Sequence, residues 1–220
     1  MKENTVKKLI MTNIPNYEVR DVDCENLCYK AKSNGIPEII VGPSSLSAIQ
    51  GFKGNGVRVG VSIAYPSGAI TPELKVAEIQ DCLAASDMID VFFVTCAQGY
   101  FMSGHPDNLE KEMYDTVKAT EKPVYFIIEE TALSEDQRKI LVETAKKAGV
   151  KGLLISTAFG PYDMIRRPNI EDIAKIKVLA GDTFEIIAAG NIKTEEDIEA
   201  ALQAGADRVM INITDGIVGV

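Results

Sequence analysis

Eight short apolar segments, which alternate with helix-like segments, are the feature that most constrains the fold of this chain. Most of them are continuous runs of Val, Ile, Leu and Phe, a pattern typical of parallel strands covered on both faces. The helix-like segments have clear boundaries: Ser134 and Gln137 form a capping box, and Gly149 follows the last turn of that helix. This repetition favours a closed TIM (β/α)8 barrel over an open, doubly wound sheet. The predicted strands span residues 9–14, 38–41, 57–63, 89–95, 124–129, 153–156, 185–188 and 208–211.

The length of the chain, 220 residues, suits one α/β barrel. We therefore predict a single barrel domain over residues 1–220, without a linker or a low-complexity segment. No apolar run reaches the ~18 residues that a transmembrane helix needs. The first residues, MKENTVKKLI, lack the long apolar core of a signal peptide. The expectation is a cytoplasmic protein that does not bind membranes.

Charge and cysteine content narrow the range of partners. The chain carries 23 basic and 32 acidic side chains, for a net charge of −9, and the acids are dispersed over helix faces. This argues against nucleic acid as a partner. The four cysteines and the one histidine have no zinc-site spacing, and two acids, Asp90 and Glu129, are a weak signal for magnesium. We therefore predict no metal, no cofactor and buried, reduced thiols.

A series of motifs, in one order along almost the whole chain, resembles the deoxyribose-phosphate aldolase family. The family's LC-x-EA, K-V-x-E, D-E-[IV]-D and K-V-I-I-E-T motifs have counterparts here, and its two lysine-bearing strands resemble GLLISTAFG and EIIAAGNIKTEEDIEAALQAGADRVMI. The resemblance implies a TIM barrel and a carbon–carbon lyase ancestry. It also implies a small sugar phosphate or aldehyde as the ligand. Barrels of this kind commonly dimerise, so a homodimer is an expectation. The segments that carry the first four motifs span residues 27–46, 56–79, 86–94 and 123–137.

The chain departs from the family where the chemistry should be. In the family, the counterpart of the GLLIST segment carries the lysine that forms a Schiff base. The counterpart of the EIIAAG segment carries a second lysine, which helps to lower the pKa of the first. Leu154 and Ile187 stand at these positions. Only a neutral lysine attacks a carbonyl, and neither leucine nor isoleucine can do so. The resemblance therefore predicts that ordinary class I aldolase activity is absent or weak. Lys193, just after a strand, is a candidate substitute, although a solvated lysine is the plainer interpretation.

Three residues are candidates for proton transfer. Asp90 matches the family's catalytic aspartate, Glu129 ends a predicted strand, and Tyr125 replaces a third lysine of the family. A carboxylate inside an apolar run is costly to bury without a role or a partner. For each residue the alternative is structural: an ion pair for the acids, and packing with one satisfied hydroxyl for the tyrosine.

Six residues are candidates for binding the substrate or its phosphate. Ser156 and Thr157 keep the hydroxyls of the family's lysine strand, and capping of the strand end is the competing interpretation. TIM barrels often bind phosphate between the loops after strands seven and eight. The candidates in those loops are Gly190, Asn191, Asn212 and Thr214.

Three functions remain open at this point. The first is a barrel of the aldolase type that binds a small, phosphorylated sugar or aldehyde. The second is a diverged isomerase or enolising enzyme, with Asp90 as its acid or base. The third is a non-catalytic sensor or regulatory protein that keeps the pocket.

Overall fold

The computed structural model describes residues 1–52, 54–159, 167–190 and 192–217. Eight parallel strands close into a barrel in which each strand pairs with its neighbours in the sequence, and β8 pairs with β1. The predicted TIM (β/α)8 barrel is therefore confirmed. The strands are β1 Leu9–Thr12, β2 Glu38–Val41, β3 Arg58–Ile63, β4 Ile89–Thr95, β5 Val124–Ile127, β6 Gly152–Leu154, β7 Glu185–Ala188 and β8 Arg208–Asn212.

The helices begin and end where the local sequence dictates. Ser134 accepts a hydrogen bond from the Gln137 N–H in the predicted capping box, and Gly149 ends that helix in the left-handed region with φ 83°. Thr194 and Asp197 form the same box two helices later. The helices are α1 Glu3–Val6, α2 Asp21–Ser33, α3 Pro72–Ala85, α4 Gln98–Met102, α5 Pro106–Lys118, α6 Glu135–Ala148, α7 Ile170–Ala180 and α8 Glu195–Gln203. Within the described ranges, none is long and apolar enough to span a bilayer.

Two apolar layers account for the continuous apolar character of the strands. One layer lies between the barrel and its helices, and the other fills the barrel interior. Gly60 shows how tightly the interior is packed, because a Cβ atom there would lie 2.7 Å from the ring of Phe93. The interior is therefore a packed core, and any ligand site belongs to the loops at its ends. The interior side chains are Ile10, Ile14, Ile40, Val91, Phe93, Tyr125, Ile127, Leu154, Ile187, Ala189 and Met210.

Candidate functional site

A cleft of about 1210 Å³ opens at the C-terminal ends of the strands. Active sites of TIM barrels lie at this end, because the loops that follow the strands meet there. The polar lining combines amides and hydroxyls with five charged side chains. The amides and hydroxyls are those of Thr12, Asn13, Asn16, Tyr17, Asn26, Asn212 and Thr214, and the charged residues are Glu18, Arg20, Asp23, Lys30 and Asp215. The cleft can therefore bind a small polar ligand through neutral hydrogen bonds, and it also presents charges of both signs.

Beside the cleft, Glu129 lies at the centre of a polar cluster after β5 and β6. Its Oε1 atom accepts hydrogen bonds from the Thr157 N–H, at 2.8 Å, and from the Thr157 hydroxyl. The Ser156 hydroxyl donates to Oε2 at 3.3 Å. Arg167 Nη1 lies 3.0 Å from Ser156 Oγ and 3.5 Å from Glu129 Oε1. The structure thus brings together three predicted site residues and adds an arginine that sequence reasoning missed.

Neighbouring loops hold this cluster in place. The side-chain amide of Gln98 donates to the Glu129 carbonyl at 2.8 Å and accepts from the Glu129 N–H at 2.9 Å. Gly190 leaves room for the other members, because a Cβ atom there would lie 2.7 Å from Ser156 Oγ and 3.0 Å from Arg167 Cδ. Its φ of 93° also disfavours any side chain. Contacts within the chain therefore fix the geometry of the cluster.

Tyr65, which follows β3, closes one side of the cluster. Its hydroxyl donates to the Thr157 carbonyl at 2.8 Å, and its ring meets Phe159 edge to face, with the two ring centroids 5.9 Å apart. Burial, and then the charge of Glu129, raises the pKa of the Tyr65 hydroxyl well above its usual range. The group therefore remains a hydrogen-bond donor at any physiological pH.

Two of the predicted catalytic residues lie at the opposite end of the barrel. Asp90 is the second residue of β4, and its carboxylate accepts from the Val59 N–H at 2.8 Å, where the β3–β4 register shifts. At ~3.3 Å per residue, it lies about 16 Å below the end of its strand. Tyr125 donates its hydroxyl to Glu185, the first residue of β7, at 2.8 Å. Asp90 and Tyr125 therefore do not lie beside Glu129, and their grouping with Glu129 in one catalytic site stays a prediction.

The positions that the resemblance assigns to lysine lie in the apolar interior. Leu154 and Ile187 are fully buried there. Among the lysines that the structure describes, Lys75 alone is buried, and its ammonium contacts Glu112 and the Thr95 carbonyl. Lys193 is exposed and its backbone N–H binds Asp197. No described lysine therefore shares the interior with Leu154 and Ile187.

The predicted phosphate loops already contain anions of the chain itself. The Asp197 carboxylate accepts the N–H groups of Lys193 and Thr194, both at 2.9 Å, at the start of α8. The Asp215 carboxylate accepts the Asn212 N–H at 3.2 Å, and burial raises the pKa of Asp215. These carboxylates use N–H groups of the kind that bind phosphate.

The other predicted phosphate ligands border the cleft. Gly190, Asn212 and Thr214 line it, whereas Asn191 lies outside the described residues. The Asn212 side chain accepts from the Thr214 N–H at 3.1 Å and donates to Asn16 at 3.2 Å. These residues therefore line the cleft, but both the oxygen and the nitrogen of the Asn212 side-chain amide already have hydrogen-bond partners.

Comparison with known proteins gives one consistent group of relatives. No protein-family model matches the chain. The deoxyribose-phosphate aldolase of Streptococcus gordonii is 30% identical over 188 residues, which cover 84% of this chain and 82% of the relative. That of Dictyoglomus turgidum is 30% identical over 197 residues, which cover 89% and 86%.

Solved structures show the same fold. The deoxyribose phosphate aldolase of Aeropyrum pernix, described as tetrameric, superposes with a TM-score of 0.86 at 22% identity and covers 98% of this chain and 89% of its own. The aldolase QR15 superposes with a TM-score of 0.84 at 22% identity and covers 98% and 93%. The alignment of folds thus extends over nearly the whole chain.

Proposed function

The chain belongs to the deoxyribose-phosphate aldolase family, and from this premise we propose that it binds a small sugar or aldehyde, phosphorylated at one end, without cleaving it through a Schiff base. The ligand occupies the cleft at the C-terminal ends of the strands. Ordinary class I aldolase activity is absent or weak. The observation that carries this proposal is the apolar interior around Leu154 and Ile187, which no described lysine enters.

The chemistry of the lost step supports this proposal. A Schiff-base aldolase needs an uncharged amine next to the substrate carbonyl, and the protonated imine then accepts the electron pair of the broken carbon–carbon bond. Burial or a neighbouring cation activates a lysine amine, whereas Lys193 is exposed to solvent. An exposed lysine is therefore a poor substitute for a buried one.

The composition of the cleft supports a sugar-like ligand. Neutral amides and hydroxyls, such as those of Thr12, Asn16 and Thr214, can donate to and accept from the hydroxyls of a sugar. The Asp197 and Asp215 carboxylates accept N–H groups in the loops that were predicted to bind phosphate, so the phosphate group of the ligand needs a test of its own. Deoxyribose and deoxyribose 5-phosphate, compared as ligands, separate the sugar from the phosphate contribution.

Glu129 is the remaining candidate for proton transfer. Its side chain is 18% exposed and lies beside the cleft, bonded to Ser156 and Thr157. The place of Asp90 at the far end of the barrel removes the support for an enolising enzyme that uses this aspartate. We therefore assign any slow turnover to Glu129 and expect that Glu129→Gln abolishes it. A protein that only binds its ligand would show no turnover with or without this substitution.

Borohydride trapping tests the proposal. The purified protein is incubated with deoxyribose 5-phosphate and borohydride, and its intact mass is recorded together with the release of aldehyde. The Streptococcus gordonii relative serves as the positive control, and calorimetry with the same sugar phosphate measures binding. We expect binding, an unmodified mass and no cleavage at ordinary rates. A reduced adduct that maps to Lys193 or another lysine would show that the imine chemistry has moved to a new residue.

A further inference from the structure

Gln98 is the residue through which the loop after β4 reaches the Glu129 cluster. It begins α4 and is 9% exposed. Its side-chain amide bonds both the N–H and the carbonyl of Glu129, and we call this pair of hydrogen bonds the Gln98 clasp. In the described part of the chain, the Glu129 N–H has no partner other than Gln98. The backbone of Glu129 is therefore held by a side chain from a different loop.

The loop that carries Gln98 is itself fixed by its neighbours. The Ala97 N–H donates to the buried Glu112 carboxylate of α5 at 3.0 Å. The loop after β3 also packs directly against it, because a Cβ atom at Gly68 would clash with the Cys96 carbonyl. Gln98 thus projects from a rigid support. It can therefore impose a position on Glu129.

On the other side of the cluster, Ala158 is a strained residue in the wall of the cleft. Its φ of 56° lies in the left-handed region, which is unfavourable for a residue with a Cβ atom. Ala158 lines the cleft. Its N–H donates to Ser156 Oγ at 3.0 Å, and the Phe159 N–H donates to Thr157 Oγ1 at 3.2 Å. Two hydroxyls therefore hold the strained turn, and such strain persists only where the surroundings support it.

Glu129 connects the clasp to this turn. The hydroxyls of Ser156 and Thr157 both donate to its carboxylate. A hydroxyl has one hydrogen to donate, so its acceptor sets the direction in which its lone pairs point. The same two hydroxyls use those lone pairs for the turn at Ala158. A displacement of Glu129 would therefore weaken the support of the cleft wall.

We propose that Gln98 is a positioning residue, which holds the Glu129 carboxylate where Ser156 and Thr157 can keep the cleft wall at Ala158 in its strained conformation. Gln98 is not among the residues that line the cleft in the described part of the chain. It acts on ligand binding through Glu129. This inference rests on the proposed function only for the identity of the ligand, because the hydrogen bonds themselves belong to the protein.

Amide hydrogen exchange of the wild-type protein, followed by NMR, tests this series of contacts. The Glu129 N–H bonds Gln98 Oε1, and the Thr157 N–H bonds Glu129 Oε1, so each N–H reports one contact. If Gln98 holds Glu129 in place, each opening of the clasp also frees the Thr157 N–H. The protection factor of Thr157 should therefore be no higher than that of Glu129. A Thr157 N–H that is clearly better protected would overturn the proposal.

The variant Gln98→Met removes both hydrogen bonds of the clasp. We expect the protection of the Thr157 N–H to fall about tenfold, and the affinity for deoxyribose 5-phosphate to fall about three- to tenfold by calorimetry. Protection of the Ile155 N–H, which bonds the Ile187 carbonyl in the barrel at 3.0 Å, should not change. Equal losses at Thr157 and Ile155 would show a general loss of stability and would overturn the positioning role.

Gln137→Met is the matched control. It also removes a side-chain bond to the backbone, since Gln137 Oε1 accepts from the Ser134 N–H at 2.9 Å at the start of α6. This variant should change neither the protection of Thr157 nor the affinity. Unchanged protection of Thr157 in Gln98→Met would contradict the proposal. Loss of that protection in a protein whose wild type does not bind deoxyribose 5-phosphate would leave the role of Gln98 standing and remove the proposed function.

Discussion

At the scale of single residues, two of the three positions where the family has lysine are the most informative. Leu154 and Ile187 are fully buried among apolar side chains in the barrel interior. An amine in such surroundings loses its hydration, which favours its neutral form and lowers its pKa. The barrel therefore keeps an environment that would activate a lysine, although it lacks the lysine itself.

Restoring the amine tests this view. In Leu154→Lys, desolvation should lower the pKa of the new lysine, so that a neutral amine is present at pH 7. We expect a borohydride-reduced adduct with acetaldehyde that maps to residue 154. Cleavage of deoxyribose 5-phosphate should remain slow, because the second lysine is still absent. The measurement is peptide mapping by mass spectrometry.

The wild-type protein is the control for this experiment, because no described lysine lies in its barrel interior. Circular dichroism first establishes that Leu154→Lys is folded. A folded variant without an adduct at residue 154 would show that the apolar interior does not activate an amine at this height in the barrel.

The site shows what the sequence can and cannot predict at this scale. Glu129 was predicted from the end of a strand, and Ser156 and Thr157 were predicted from the resemblance to the family's lysine strand. Parallel strands bring their ends together. Arg167 was missed because it directly precedes Pro168 and belongs to no helix or strand, so no periodicity marks its buried side chain. The height of Asp90 in the barrel was also missed, although Asp90 is the second residue of the predicted strand over residues 89–95 and therefore lies near the start of that strand.

At the scale of elements, α3 and α5 are joined by two ion pairs of opposite character. Lys75 and Glu112 are 0% and 1% exposed, and Glu112 also accepts from the Ala97 N–H at 3.0 Å in the loop after β4. Lys111 and Glu73 join the same helices at the surface, with 49% and 66% of their side chains exposed. Burial raises the pKa of Glu112, and Lys75 opposes this effect. We therefore expect the buried pair of Lys75 and Glu112 to contribute more to the free energy of unfolding than the surface pair.

Removing each lysine separates the two pairs. Lys75→Met leaves Glu112 buried without its cation, and we expect a loss of about 3–5 kcal/mol in the free energy of unfolding. Lys111→Met, the matched control on the same two helices, should change it very little, because solvent screens the surface pair. Urea unfolding measures both variants. Similar losses of unfolding free energy in the two variants would show that the buried pair stabilises the protein no more than the surface pair does.

The elements themselves were largely predictable, and their ends were not. All eight strands coincide with apolar runs of the sequence. The predicted strand over residues 124–129 stops at Ile127, because the chain then turns through the short helical segment Glu130–Ala132. The helix α4, Gln98–Met102, has only five residues and therefore no amphipathic pattern to reveal it.

At the scale of the whole molecule, the two ends of the barrel have different compositions. The C-terminal end holds the cleft and the Glu129 cluster. The N-terminal end holds a charged group in which Arg208 lies 3.0 Å from Glu38 and 3.1 Å from Glu185, and 5.2 Å from the centre of the Tyr125 ring. Arg58 also lies 3.0 Å from Glu38. These pairs join strands β2, β3, β7 and β8, so this end should contribute stability rather than binding.

The stability of an Arg208→Met variant should depend on pH in one direction. Burial raises the pKa of Glu38, and the charges of Arg208 and Arg58 oppose this rise. Without Arg208, the pKa of Glu38 in the folded state rises further above its unfolded value. The folded state then binds a proton that the unfolded state does not, so stability increases as the pH falls through the folded pKa. The variant should therefore have a lower free energy of unfolding than the wild type, and this difference should be largest above the folded pKa of Glu38 and smaller below it.

Urea unfolding at pH 5 and pH 8 measures this deficit, which we expect to be ~3 kcal/mol at pH 8 and smaller at pH 5. Arg20→Met is the control, because the pair of Arg20 with Asp23 is on the surface and its loss should matter little at either pH. Calorimetry with deoxyribose 5-phosphate should give the same affinity for folded Arg208→Met as for the wild type, since Arg208 begins β8 at the end opposite the cleft. A deficit that grows at low pH would contradict the assignment to Glu38, and a loss of affinity in the folded variant would show that the two ends of the barrel are coupled.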